Sequence, residues 1–213
     1  MTKLKKLAVL FTVVLGMSQI ANAQGPDGTR FGIKGGLNLS NLYTEDVDDQ
    51  NVLLGFNLGV FVELPITSRI SLQPEFLYTT KGAELKYNNA FIQGTGKFRL
   101  NYIEVPLLLK LNVTDKFNVH FGPYAAYLID AKITNEDANG NINFESDVNK
   151  DDLNKLDFGL AGGFGINFDG FGLGARYNYG LSTVGKEKTI LGQTFAVPDS
   201  KNSVLSIYAT ISL

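Results

Sequence analysis

The chain has 213 residues, of which 44% are hydrophobic and 19% are charged, and its formal net charge is −2. This length supports one domain with a full core or one closed barrel, and the slightly acidic balance argues against a nucleic-acid partner. Because there is no cysteine and only one histidine, disulfide frameworks, cysteine catalysis and most metal sites are excluded, and we expect no cofactor.

The N-terminus has the pattern of a cleaved secretory signal peptide. Three lysines precede an apolar stretch at 7–17, and residues 21–23 supply an A-x-A cleavage site. The apolar stretch is shorter than the ~20 residues that a membrane helix needs. We therefore expect a removed signal peptide at 1–23 and an exported mature domain at 24–213.

Beyond this leader, apolar and polar residues alternate with a period of two, which is typical of strands. The alternation predicts eight strands, at 30–40, 54–64, 69–81, 98–111, 117–132, 156–168, 171–182 and 203–213. Strands of this length match the ~9–11 residues of a tilted transmembrane strand. The predicted fold class is all-β, an eight-stranded antiparallel up-and-down transmembrane β-barrel, which makes 24–213 an outer-membrane β-barrel domain.

The predicted connections are alternately short and long. Tight turns are expected at 65–68, 112–115 and 169–170, whereas the other four connections run about 12 to 25 residues. This asymmetry is typical of outer-membrane barrels, so we expect periplasmic termini, extracellular long loops and outer-membrane lipid as a partner. The first long loop should form an acidic tip with the residues Glu45, Asp46, Asp48 and Asp49.

Alternation alone does not separate a membrane barrel from a soluble barrel or sandwich, but residue size does. The polar faces consist largely of glycine, alanine, serine and asparagine, which suits a narrow lumen, and the apolar faces have no charge in mid-strand. Aromatic residues near the strand ends predict two interfacial girdles. These are Phe117, Phe168 and Phe171 at the short-turn end, and Tyr78, Tyr127, Phe158 and Tyr179 toward the long loops.

Nine charged residues fall on the polar faces, and we expect them to form a structural charge network in the lumen, since buried charges must be paired. They are Lys34, Glu63, Glu75, Lys81, Glu104, Lys110, Asp130, Asp157 and Arg176. One alternative interprets Glu75 and Glu104 as an acid–base couple, and another combines His120 with a nearby serine in a lipid hydrolase. A narrow lumen pairs its buried carboxylates and restricts substrate access, and His120 has no nucleophile-elbow motif or recognisable partner, so no catalytic residue is predicted.

Two local features carry further expectations. Residues 135–141 have the oxygen spacing and glycine of a calcium loop, but position 12 is Ser146 and not glutamate, so we favour a hairpin tip at Asn139-Gly140 and predict no metal site. The three strand prolines Pro74, Pro106 and Pro123 lie at similar distances from the short turns. They predict a band of bulges or missing ladder bonds, or, alternatively, three independent tolerated positions.

Four segments resemble the PorT family of outer-membrane β-barrel proteins of Bacteroidetes-type bacteria. They are 31–40 (FGIKGGLNLS), 72–78 (LQPEFLY), 102–110 (YIEVPLLLK) and 121–124 (FGPY), and the resemblance covers essentially the whole mature chain. It implies an eight-stranded barrel related in architecture to OmpA and OmpX, in a family whose founding member is linked to protein secretion. The segments are barrel-building residues, so the resemblance implies no catalytic site.

Three functional hypotheses follow. The first is a non-enzymatic outer-membrane protein with a structural role in the envelope, or a surface-interaction role through its acidic extracellular loops. The second is an accessory subunit of a protein secretion or assembly complex, which would provide protein partners. The third is a lumenal lipid enzyme or small-ligand carrier.

Overall fold

The computed structural model describes residues 28–43, 52–88, 93–137, 142–147, 153–185, 187–190, 193–196 and 200–213. The predicted signal peptide and the acidic residues of the first loop lie outside these ranges. The described strands are β1 (Arg30–Tyr43), β2 (Leu53–Pro65), β3 (Ile70–Asn88), β4 (Gln93–Asn112), β5 (Phe117–Asp137), β6 (Ile142–Asp147), β7 (Leu156–Asn167), β8 (Phe171–Thr183), β9 (Glu187–Ile190), β10 (Gln193–Ala196) and β11 (Lys201–Ser212).

Eight of these strands form a closed antiparallel ring. The ring runs β1-β2-β3-β4-β5-β7-β8-β11 and closes where β11 pairs with β1. Strand β6 adds to β5, and β9 and β10 form a separate hairpin. The predicted fold class is confirmed.

No helix among the described residues is long and apolar enough to cross a membrane.

The strands are staggered around the ring. A path that starts at Leu64 of β2 and moves from each residue to its paired residue on the next strand goes once around the ring. It returns to β2 at Leu54, ten residues from its start. This stagger tilts the strands relative to the barrel axis. The successive residues along this path are Leu64, Leu72, Leu109, Phe121, Gly162, Tyr177, Leu205, Leu39 and Leu54.

The two sides of the wall differ in polarity as the alternation predicts. Outward residues are apolar and exposed, such as Leu58 at 55% and Ile207 at 58%, whereas inward residues such as Lys34 and Asn38 are 1% exposed. A soluble barrel would bury the apolar face, so this distribution is that of a lipid-facing wall.

The short turns lie close to their predicted positions, but the β3–β4 connection differs. Strand β3 continues to Asn88 and β4 begins at Gln93, so most of the predicted loop at 82–97 is a hairpin. Opposite charges face each other there, with Glu84 across from Lys97, and such cross-strand pairs stabilise a ladder where hydrophobic alternation is weak. Strand β5 likewise pairs with β6 in a hairpin whose tip, including Asn139-Gly140, lies outside the described residues.

The three prolines interrupt the wall at one height. Pairing skips two positions beside each proline without any change of register: between Phe61 and Leu64 of β2, between Pro74 and Leu77 of β3, and between Pro106 and Leu109 of β4. The predicted missing ladder bonds are confirmed. The predicted bulges are not found at the prolines, because each interruption resumes in the same register.

Candidate functional site

The lumen near the short turns contains an ion cluster centred on Glu75. Arg176 donates two hydrogen bonds to the carboxylate, at 2.7 and 2.8 Å, and Lys34 Nζ lies 3.1 Å from Oε2. Gln73 Nε2 donates a further bond at 2.8 Å. Because all four side chains are buried, the carboxylate offsets the desolvation of two cations at once.

Tyr208 and His120 complete this lower cluster. Lys34 Nζ lies 3.7 Å from the centroid of the Tyr208 ring, a cation–π contact. Arg176 Nε donates to His120 Nε2 at 3.3 Å, so we assign the ring proton to Nδ1, which faces Asn118 Oδ1 at 3.4 Å. Tyr208 Oη lies 3.4 Å from the same Nε2. The hydrogen-bond neighbours of His120 are therefore an amide, a guanidinium and a phenol.

A second ion cluster lies nearer to the long loops and is centred on Lys81. Its Nζ lies 2.6 Å from Glu104 Oε2 and 2.8 Å from Asp157 Oδ2. The ring centroid of Tyr124 is 4.4 Å from the ammonium group. Asn178 donates to Glu104 Oε1 at 2.9 Å, which fixes the orientation of that carboxylate.

A third pair joins Lys110 and Glu63 at 2.8 Å. With it, eight of the nine predicted lumen charges are buried and paired, four basic and four acidic. The lower cluster has two cations for one carboxylate, and the upper cluster has two carboxylates for one cation. The excess charges are opposite in sign, so the two clusters complement each other along the barrel axis.

Asp130 is the exception and corrects the predicted network. Residue Ile129 is an extra residue in β5, since Tyr102 pairs with Leu128 and Asn101 with Asp130. Asn101 lies between two fully buried lumen residues and therefore faces outward, and Asp130 shares its face and accepts a hydrogen bond from it at 3.2 Å. A one-residue bulge reverses the side on which the following residues lie, which strict alternation does not foresee.

A set of uncharged polar groups in the lumen was not predicted. Asn57 Nδ2 donates to Asn38 Oδ1 at 2.7 Å and to Ser206 Oγ at 2.8 Å, and Asn38 Nδ2 donates to Thr79 Oγ1 at 2.9 Å. The available signal was asparagine at inward positions among glycines, where an amide fills space and bonds in several directions.

The two ends of the lumen differ. At the short-turn end, a cavity of about 310 Å³ lies between the turn at Phe168 and a floor that includes His120 and Tyr208. At the long-loop end, buried apolar side chains close the lumen, and Asn154 holds the connecting segments together by donating to the carbonyls of Thr183 and Gly185 at 2.8 and 3.1 Å. The closing residues are Leu100, Tyr102, Leu128, Leu153 and Val184.

The positions of the lumen carboxylates bear on the acid–base couple and the metal site that the sequence analysis considered. Glu75 and Glu104 belong to different clusters, since Glu75 pairs with Lys34 and Arg176 whereas Glu104 pairs with Lys81. Within the described ranges, no three histidine, aspartate or glutamate side chains converge as metal ligands would. The calcium-like segment at 135–141 falls partly outside the described residues.

Comparison with known proteins identifies the fold. The sequence profile of the outer membrane protein beta-barrel domain family matches residues 17–184. Neisserial surface protein A is 13% identical with a TM-score of 0.52, and the match covers 88% of this chain and 100% of that one. Ail of Yersinia pestis is 14% identical with a TM-score of 0.48, over 87% of this chain and 99% of that one. No curated protein is significantly similar in sequence.

Proposed function

The chain belongs to the outer membrane protein beta-barrel domain family, and from this premise we propose that it is a non-catalytic envelope protein that anchors surface loops in the outer membrane. The observation that supports this role is the filled lumen. Paired charges occupy its middle, and an apolar cluster closes the long-loop end. Such an interior stabilises an anchor and leaves no aqueous passage.

The long-loop end is the surface that this anchor presents. Strands β3, β4 and β5 continue beyond the ring, and β6 extends them into a small sheet. The first long connection adds the carboxylates of Glu45, Asp46, Asp48 and Asp49. We propose that these loops are extracellular, that the termini are periplasmic and that the acidic loops bind basic groups on surface partners.

The absence of catalysis is part of the proposal and has support in the lumen. Within the described ranges, the hydrogen-bond partners of the His120 ring are Asn118, Arg176 and Tyr208, and none of the three is a serine that the imidazole could activate. Each of the carboxylates Glu63, Glu75, Glu104 and Asp157 is held in an ion pair with a lysine or an arginine, so none of these four is the free acid or base that hydrolysis needs. A lipid turnover assay with wild-type protein and with His120→Ala tests this point, and turnover that the substitution abolishes would contradict it.

The orientation is testable because the chain has no cysteine. Asp46→Cys places a thiol in the first long loop, and the matched variant Ser68→Cys places one in a short turn. We expect a membrane-impermeant maleimide to label Asp46→Cys on intact cells and Ser68→Cys only after the outer membrane is permeabilised. The reverse pattern would contradict extracellular long loops.

The PorT-like segments favour a second candidate, an accessory subunit of a secretion or assembly complex. Mild crosslinking in native membranes followed by purification distinguishes the two roles. Stoichiometric recovery of other envelope proteins would favour the complex, whereas recovery of this chain alone would favour the independent anchor.

A further inference from the structure

A small cavity lies at the centre of the lumen, between the two ion clusters. Its volume is about 10 Å³, close to the least volume, roughly 10–15 Å³, that holds one water molecule. Side chains from both clusters line it, including Lys34, Arg176 and Glu104, together with Asn57 and Asn178.

Two of the asparagines that line this cavity carry a buried amide oxygen without a partner among the described residues. In the part of the chain that the structure describes, Asn57 Oδ1 and Asn178 Oδ1 accept no hydrogen bond. Their amide orientations are fixed, because Asn57 Nδ2 donates to Asn38 and Ser206, and Asn178 Nδ2 donates to Glu104. Glu104 Oε2 also accepts no hydrogen bond, but its ion pair with Lys81 at 2.6 Å compensates it.

We infer that this cavity binds a single water molecule that donates one hydrogen bond to Asn57 Oδ1 and one to Asn178 Oδ1. A water molecule has two O–H groups, which match the two acceptors, and two lone pairs that can accept from the cationic side chains Lys34 and Arg176 lining the same cavity. A metal ion does not fit, since two cations line the cavity. The bound water joins the lower cluster to the upper one.

A buried amide oxygen away from this cavity shows which acceptors the inferred water does not reach. Asn202 Oδ1 is also buried and accepts no hydrogen bond, but Asn202 does not line this cavity. The inferred water therefore does not serve it.

A crystal structure in detergent or lipid at a resolution of about 2 Å or better tests the inference. We expect one solvent peak within hydrogen-bonding distance of Asn57 Oδ1 and Asn178 Oδ1. An empty cavity, or amide oxygens paired with protein donors, would overturn it. A continuous row of solvent peaks from this cavity to the cavity at the short turns would also overturn the inference, because the lumen would then hold a chain of water molecules and not one bound water.

A matched pair of variants at Val204, which lines the cavity, provides the control. Val204→Ile adds a methyl group and should displace the water, whereas Val204→Ala removes two and should keep it. In NMR spectra of the folded protein, we expect water cross-peaks to the side-chain amides of Asn57 and Asn178 in the wild type and in Val204→Ala, but not in Val204→Ile. Cross-peaks that are absent from the wild type would overturn the inference even if neither variant folds.

Discussion

Glu75 accepts hydrogen bonds from Arg176, Lys34 and Gln73, and all of these groups are buried. Glu75→Gln would remove the charge that neutralises two cations and should lower the free energy of unfolding by about 3–5 kcal/mol. Urea titration of the refolded protein in detergent, with the folded fraction read from heat-modifiable gel migration, measures this loss.

Glu63→Gln is the matched control for Glu75→Gln. Among the described residues, Glu63 forms an ion pair with the single cation Lys110, and both side chains line the cavity at the short turns, which leaves them less enclosed than Glu75. The loss should therefore be smaller than for Glu75→Gln. Equal losses would argue that the lumen is solvated throughout.

Adjacent glycines in β7 provide a second test at the residue scale. A Cβ at Gly163 would lie 2.8 Å from both His120 Nε2 and Arg176 Cα, whereas a Cβ at Gly162 would meet nothing within 4 Å. Gly163→Ala should destabilise the barrel by about 1–3 kcal/mol through overpacking. Gly162→Ala should change stability by no more than about 0.5 kcal/mol. The same unfolding titration compares them, and equal effects would contradict the packing of the lumen described above.

Sequence alone identifies most inward charges but not their partners. Alternation gives the side of the wall on which a residue lies, so Lys34, Lys81 and Arg176 could be assigned to the lumen. The partner depends on the stagger of the strands, which brings Glu75 to Arg176 across 101 positions of sequence. It also depends on local bulges, and the one at Ile129 moves Asp130 out of the lumen.

At the scale of the strands, the interrupted pairing beside Pro74, Pro106 and Pro123 defines a weak band in the wall. Amides that lack ladder bonds open more readily, so segments 73–77 and 105–109 should exchange hydrogen about tenfold faster than segments 35–39 and 205–209. The second pair is the control, because β1 and β11 pair there without interruption. Hydrogen exchange of the protein in lipid nanodiscs, followed by mass spectrometry, measures the difference in rate. Equal exchange rates in the two pairs of segments would contradict the existence of a weak band.

The bounds of the strands were predictable within the ring, where apolar and polar residues alternate, and less predictable where strands continue beyond the ring. The observed bounds of strands β1, β7 and β8 lie within a few residues of the predicted bounds, since these strands do not extend far beyond the ring of eight. Strands β3, β4 and β5 continue past the ring, where polar residues such as Glu84 and Lys97 stand opposite each other. There the hairpin register, and not hydrophobicity, sets the strand length.

At the scale of the whole molecule, the outer wall is apolar and the interior is a balanced set of charges closed by an apolar cluster. The ring of eight strands was predictable from strand number and length. A filled lumen was likewise predictable from the large inward side chains, such as Tyr102. The contribution of Leu153 and Val184 to the apolar cluster at the long-loop end was not predictable, because these residues lie in connections that carry no periodicity. A barrel whose lumen is filled in this way needs no separate plug domain.

Planar lipid bilayer recordings of the pure, refolded protein test the central claim, a filled and closed lumen, most directly. We expect no stable conductance steps, because the ion clusters occupy the lumen and the apolar cluster seals one end. Stable, large single-channel steps from the wild-type protein would contradict the account.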